Sequence, residues 1–254
     1  MIGLDKFKEY FSSYQDQYVL IGGAACDIIF EEQDTAFRAT KDLDLVLIVE
    51  ALTPEFGRRF WQFVRDGGYE HRAKSSGAPQ FYRFDKPKQP GFPYMLELFS
   101  RAGDIFAGEN IGPCVPLPLG DEISSLSAIL LNEEYYEMLL RGRTVLSEIA
   151  VLSHTYLIPF KAKAWLDLRE KKAQGLHVDE RDIRKHKNDV LRLSTLLTGN
   201  ERCELPGSVQ EDFSLFLREL AQEPVDLKSL RISGITLAQI VDTLSAVYLT
   251  GKVQ

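Results

Sequence analysis

The sequence predicts an α+β fold: a mixed β-sheet with flanking helices over residues 1–120, then a mainly helical C-terminal domain, a bundle, over 121–254. Three observations predict it. Through the first half, short runs of branched aliphatic and aromatic residues alternate with amphipathic stretches, the order in which helices cover a sheet. Two of those runs are marked chemically, one ending at Gly22-Gly23 and one opening with Asp42-Leu43-Asp44. From His154 onward nearly every segment has helical periodicity.

The elements follow in order. Residues 4–14 place Leu4, Phe7, Phe11 and Tyr14 at helical spacing. Residues 18–21, Tyr-Val-Leu-Ile, are a buried strand entering a tight turn at Gly22-Gly23, and 24–32 a helix. Residues 42–49 are rich in branched aliphatics and form a central strand. Thr53, with Glu55 behind it, opens a helix through Phe60, Trp61 and Val64 that stops at Gly67-Gly68. Residues 81–84 and 94–99 are strands joined by a Pro/Gly-rich loop over 87–93. Short strands are expected over 124–131 and 144–152. Helices are expected over 156–172, over 179–197 with Asp179 or Asp182 as cap, over 213–220 and over 237–249, with a loop at 199–207.

Composition narrows the function classes. The apolar and charged fractions are those of an ordinary soluble globular chain, and no apolar run approaches a membrane span. The N-terminal residues lack the charged and apolar regions of a secretory leader. Cys26, Cys114 and Cys203 are far apart and lack metal-ligand spacing, so reduced thiols in a cytoplasmic protein are expected. The net charge of −7 argues against coating nucleic acid by bulk electrostatics, but allows a local basic patch. His71, His154, His177 and His186 show no metal-ligand spacing, and no Gly-x-Ser-x-Gly elbow supports hydrolase chemistry.

The strongest chemical signal is Thr40-Lys41-Asp42-Leu43-Asp44-Leu45. Strand alternation puts Asp42 and Asp44 on one face, about 7 Å apart, with leucines opposite. Two like charges there repel unless a cation neutralises them, and carboxylate oxygens suit magnesium. The alternative is a strand end with two solvated aspartates. Gly22-Gly23 brings backbone N–H groups and a helix N-terminus together as a triphosphate site requires; a plain tight turn is the alternative. Glu97, inside Tyr94-Met95-Leu96-Glu97-Leu98-Phe99, is flanked by apolar groups and needs a partner. Either it completes a metal-binding carboxylate set or it pairs with an arginine such as Arg83. Asp85 and Asp104 border loops and are weaker candidates. In the second half, Lys161 lies among Phe160, Ala162, Ala164 and Trp165, so Lys161 or Lys163 faces inward. Asp189 sits beside the buried stripe of its helix, near Lys187.

Assembled, these residues resemble the AbiEii-type nucleotidyltransferases, a toxin family associated with phage abortive infection and part of the polymerase-beta-like superfamily. The matching pieces are Ile21-Gly22-Gly23-Ala24-Ala25, Thr40 to Leu45, Glu97, Lys161-Ala162-Lys163-Ala164 and Lys187-Asn188-Asp189-Val190-Leu191, spanning about residues 15–195. The resemblance implies a magnesium-dependent transfer of a nucleotide from an NTP to a hydroxyl, with release of pyrophosphate. It implies two Mg2+ ions on Asp42, Asp44 and Glu97, with the helical domain completing the cleft. Gly22, Gly23, Lys41, Lys161, Lys163 and Lys187 would bind the nucleotide, and Lys161 and Asp189 would join the acids as catalytic residues. The acceptor implied is tRNA or a protein, and an antitoxin protein is an implied partner. A small-molecule acceptor of the aminoglycoside kind, or a non-catalytic protein keeping the fold, are the alternatives. Gly-Gly stands where many other nucleotidyltransferases have Gly-Ser. Arg169, Lys171, Lys172, Arg181, Arg184, Lys185 and Lys187 gather on the helices carrying Lys161 and Asp189. They form either a basic surface for a macromolecular acceptor or an ordinary solvated face paired with neighbouring acids.

Overall fold

A computed structural model describes residues 1–38, 40–71, 80–100, 129–130 and 132–249. The chain divides into two compact units, residues 1–131 with 143–153, and residues 132–142 with 154–254.

The first unit is built on a mixed sheet of seven strands among the described residues, in the order β3-β4-β5-β2-β1-β7-β6. These are β1 (Tyr18–Ile21), β2 (Asp42–Leu47), β3 (Glu70–His71), β4 (Gln80–Asp85), β5 (Met95–Ser100), β6 (Arg143–Leu146) and β7 (Ile149–Leu152). β2 runs antiparallel to β1 and parallel to β5, and β1 runs parallel to β7. The strand expected over 144–152 is a hairpin: Ser147 and Glu148 both take positive φ, 44° and 66°, the pattern of a two-residue turn between β6 and β7. The strand expected over 124–131 lies largely outside the described residues.

Helices α1 (Leu4–Phe11), α2 (Gly22–Glu31) and α3 (Pro54–Gly67) complete the unit. The Thr53 hydroxyl caps α3 by accepting from the Phe56 N–H, and Gly68 ends it in the left-handed conformation, φ 64°. Phe7 and Phe11 of α1 pack on Tyr18, while Phe60 and Trp61 of α3 pack edge-on against Phe84. Tyr18, Leu20, Leu45, Leu96 and Phe84 alternate onto one side of the sheet by register. An aromatic core therefore fills that side, and the acidic residues of β2 and β5 face the other.

The second unit is helical: α4 (Glu133–Gly142), α5 (His154–Ala173), α6 (Glu180–Ser194), α7 (Gly207–Leu220) and α8 (Leu237–Tyr248). The first half of α5 is buried nearly all round, from Leu157 to Leu166, which makes it the central helix of the unit. Pro159 lies inside it and cannot bond back to the Thr155 carbonyl; the Tyr248 hydroxyl donates to that oxygen instead, at 2.6 Å. Asp179 caps α6 through the Arg181 N–H, and Thr236 with Gln239 forms a capping box on α8. The sequence reading did not anticipate α4, which packs Tyr135 edge-on against Phe160. No described helix is long and apolar enough to cross a membrane.

Candidate active site

Strand register assembles the acids. Asp44 of β2 lies beside Glu97 of β5, which lies beside Arg83 of β4, and on its other side Asp44 faces Ile21 at the end of β1. The row reads Arg83–Glu97–Asp44–Ile21 across four neighbouring strands, all on the face away from the aromatic core. Asp42 occupies the next row on the same face, beside Met95 and Asp85.

Glu97 is 6% exposed. Arg83 donates to its Oε1 from Nε at 3.0 Å and from Nη2 at 2.8 Å. Burial, then the charge of Asp44 and a hydrogen bond to it, push the Glu97 carboxyl up to about 8, against the opposing pull of Arg83. The pair therefore resists carrying two negative charges side by side. Of the two alternatives for Glu97, the arginine pair is present, and Asp44 lies beside it as well.

Immediately after β1, the chain turns into α2 through Gly22 at φ +69°. A Cβ there would lie 1.7 Å from Asp44 Oδ2 and 2.7 Å from its Cγ, so backbone and carboxylate approach as no side chain would allow. Beside it, a Cβ on Gly23 would meet Thr40 Oγ1 at 2.8 Å and Arg38 Nη2 at 3.3 Å. α2 begins with no side-chain cap and no acid in its first turn. Its N-terminal N–H groups and helix dipole thus open beside Asp44, with Arg38 and Thr40 alongside. The sequence reading left out Arg38; its place two residues before Thr40, in the segment returning to β2, was the available signal.

The oxygen donors of Asp44 and Glu97 suit a hard divalent cation, and a cation there would offset the repulsion between the two carboxyls. Among the described residues no three His, Cys, Asp or Glu groups converge closely enough to hold a metal ion. Asp42 is thus a same-face neighbour of the Asp44–Glu97 pair. Lys41 presents its ammonium 5.9 Å from the ring centre of the exposed Tyr94. Asp104 lies outside the described residues.

The remaining candidates belong to the helical unit. Lys161 is fully buried, with Nζ 2.9 Å from Asp189 Oδ2, itself fully buried. These two candidates partner each other between α5 and α6. Lys163, two residues on, points elsewhere as helical geometry requires, pairing with Asp212 at 3.0 Å and Asp167 at 3.2 Å. Lys187 pairs with Glu223 at 2.7 Å. Asp212 and Glu223 are distant in sequence, and no local pattern marked them. Cys26 and Cys203 are buried, and neither forms a disulfide among the described residues.

No protein-family description matches this chain, and no curated protein matches it. Three solved structures are similar. One is an antigenic nucleotidyltransferase-like protein from Paracoccidioides brasiliensis, 16% identical over 90% of this chain and 93% of that one, with a TM-score of 0.47. JHP933 from Helicobacter pylori is 14% identical over 96% and 88%, with a TM-score of 0.36. The Megavirus polyadenylate synthase is 9% identical over 95% of this chain and 49% of that one, with a TM-score of 0.28.

Proposed function

We propose that this chain is a divalent-cation-dependent nucleotidyltransferase. The observation that carries the reading is the packing of the Gly22 backbone on Asp44, itself paired with Glu97, which brings an uncapped helix N-terminus and an acid pair to one place. An acid pair suits a cation, and an uncapped N-terminus suits the phosphate that such a cation accompanies.

In this reading Asp44 and Glu97 hold magnesium with Asp42 beside them, and two ions are expected. The bound metal supplies charge neutralisation at the phosphates. The chain's own residues do the rest. N–H groups at Gly22 and Gly23, with the Arg38 guanidinium, hold the triphosphate oxygens. The acceptor hydroxyl oxygen forms a bond to the α-phosphorus as the bond from that phosphorus to the bridging oxygen breaks, and pyrophosphate leaves with the electron pair. The hydroxyl proton passes to an ionised carboxylate of the acid row. Positioning and charge stabilisation, rather than covalent work, account for the rate.

The finer reading is a toxin of a toxin–antitoxin pair that modifies tRNA or a protein in the cytoplasm. The motif resemblance to the AbiEii type supports it. The non-catalytic alternative has one observation in its favour: Arg83 already supplies Glu97 with a cation. Incubation with each labelled NTP, magnesium and a cell extract separates these readings. Label transferred to RNA or protein by the native chain and lost in Asp44→Asn supports transfer; no transfer with any NTP supports the non-catalytic reading.

A further inference from the structure

The helical unit carries a groove of about 460 Å³ between α5 and α6, within the range of about 300–1,000 Å³ usual for small-ligand pockets. Arg169 and Lys172 of α5 line it from one side, and Arg184 and Lys187 of α6 from the other. Like charges converge across this gap, and the carboxylates set among them are Glu180 and Glu223. Glu223 is shared, its Oε1 held by Arg169 at 2.5 Å and its Oε2 by Lys187 at 2.7 Å. Burial raises the Glu223 carboxyl, but Lys187 and Arg169 outweigh it and hold the group below its usual range, so it stays ionised. Glu180 answers Lys172. Arg184 is exposed and makes no ion pair among the described residues. Four cations line the concave site against two carboxylates, and with Glu219 also on Arg169 an excess of one positive charge remains.

Two features make this more than a solvated helix face. The Lys187 side chain is only 10% exposed, so its charge is placed at the floor of the groove and not in bulk water. Arg169 is fixed as well, lying 4.2 Å from the Trp165 ring centre while it reaches Glu219 and Glu223. Fixed cations in a concave, low-dielectric wall focus an attractive field for anions. A guanidinium without a carboxylate is the group best shaped for a phosphate.

We propose that this groove binds a phosphate-bearing anion larger than a single orthophosphate, with Arg184 as its principal contact. Its source is either a free polyphosphate or the backbone of a polynucleotide.

Calorimetric titration of the full chain with inorganic tripolyphosphate and, separately, with a 12-nucleotide single-stranded RNA tests the proposal. At low salt one or both should bind, and Arg184→Gln should weaken that binding about tenfold or more. Lys228→Gln, at an exposed position outside the groove lining, should leave it unchanged. Binding of tripolyphosphate assigns a free polyphosphate; binding of RNA alone assigns a backbone. Absence of binding by either probe overturns the proposal, as does equal weakening by the two substitutions, which would indicate general surface charge. Because Arg184 is exposed, the variant should fold, and its circular dichroism should match that of the native chain.

Discussion

Glu97 shares a hydrogen bond with Asp44, its register neighbour across the parallel β2–β5 ladder, while Arg83 grips the same glutamate from β4. Three ionisable groups on three adjacent strands thus share one row, with Glu97 buried at its centre. Most of the chain's testable behaviour follows from how that row holds its charge.

The first consequence is a pH dependence of stability. The unfolded Glu97 carboxyl ionises near 4.5 and the folded one near about 8. Between those values the folded state carries the extra proton, so stability is greatest below about 4.5 and falls as pH rises through about 8. Gln at this position keeps a donor toward Asp44 but cannot ionise. Chemical denaturation at pH 5, 6.5 and 8 should show a declining stability for the native chain and a flatter profile for Glu97→Gln. Parallel profiles would place the titration elsewhere.

Gly22→Ala addresses the turn. The backbone stands at φ +69°, and the new methyl would overlap the Asp44 carboxylate. A cost above about 1 kcal/mol is expected from conformation alone, with further loss from displacing Asp44. Ala at Gly57, which has open space around it and lies within α3, should be neutral or stabilising. Thermal melts of the two variants make the comparison, and a neutral Gly22→Ala would remove the steric argument.

In the helical unit, Lys161 and Asp189 sit fully buried at 2.9 Å. Lys161→Met leaves a carboxylate buried without its cation, at a cost of about 3–5 kcal/mol. The double variant Lys161→Met, Asp189→Leu should recover much of that loss. Additive losses in a double-mutant cycle would show that the two residues do not act as a pair.

Much of this was legible in the sequence because local signals agreed with the tertiary fold. The run Tyr18 to Ile21 is a strand with those bounds, and Thr53 and Gly68 bracket α3 as their capping chemistry requires. On α5 the apolar neighbours of Lys161 mark it as inward-facing. What could not be read is what long-range packing decides. The Asp44–Glu97 contact depends on β2 and β5 pairing in parallel, and strand patterns do not encode their partners. Likewise Glu223 stands 36 residues from Lys187 and 54 from Arg169. The basic run on α5 and α6 consequently looked the same whether paired or open; the fold makes it both, with Lys172, Arg169 and Lys187 paired and Arg184 open.

The sharpest test is Asp44→Asn, because the structural and functional roles of that carboxylate predict opposite effects. In the native row, the charge of Asp44 raises the Glu97 carboxyl, so ionising Glu97 there sets two anions side by side. Asn fills the same space and can still hydrogen-bond to Glu97 but removes the charge. Stability at pH 8 should therefore be unchanged or higher, since Glu97 could ionise opposite Arg83 without a second anion beside it. Nucleotide transfer, if Asp44 holds the metal, should fall by about 100-fold to 1,000-fold, the scale on which losing one preorganised electrostatic contact acts. Such a trade, stability kept or gained while activity is lost, marks a site strained for function. Denaturant titration and the labelled-NTP assay on one preparation supply both readings. Destabilisation by more than about 2 kcal/mol would instead mark the Asp44–Glu97 contact as a structural hydrogen bond. The proposed metal site would then lose its main support.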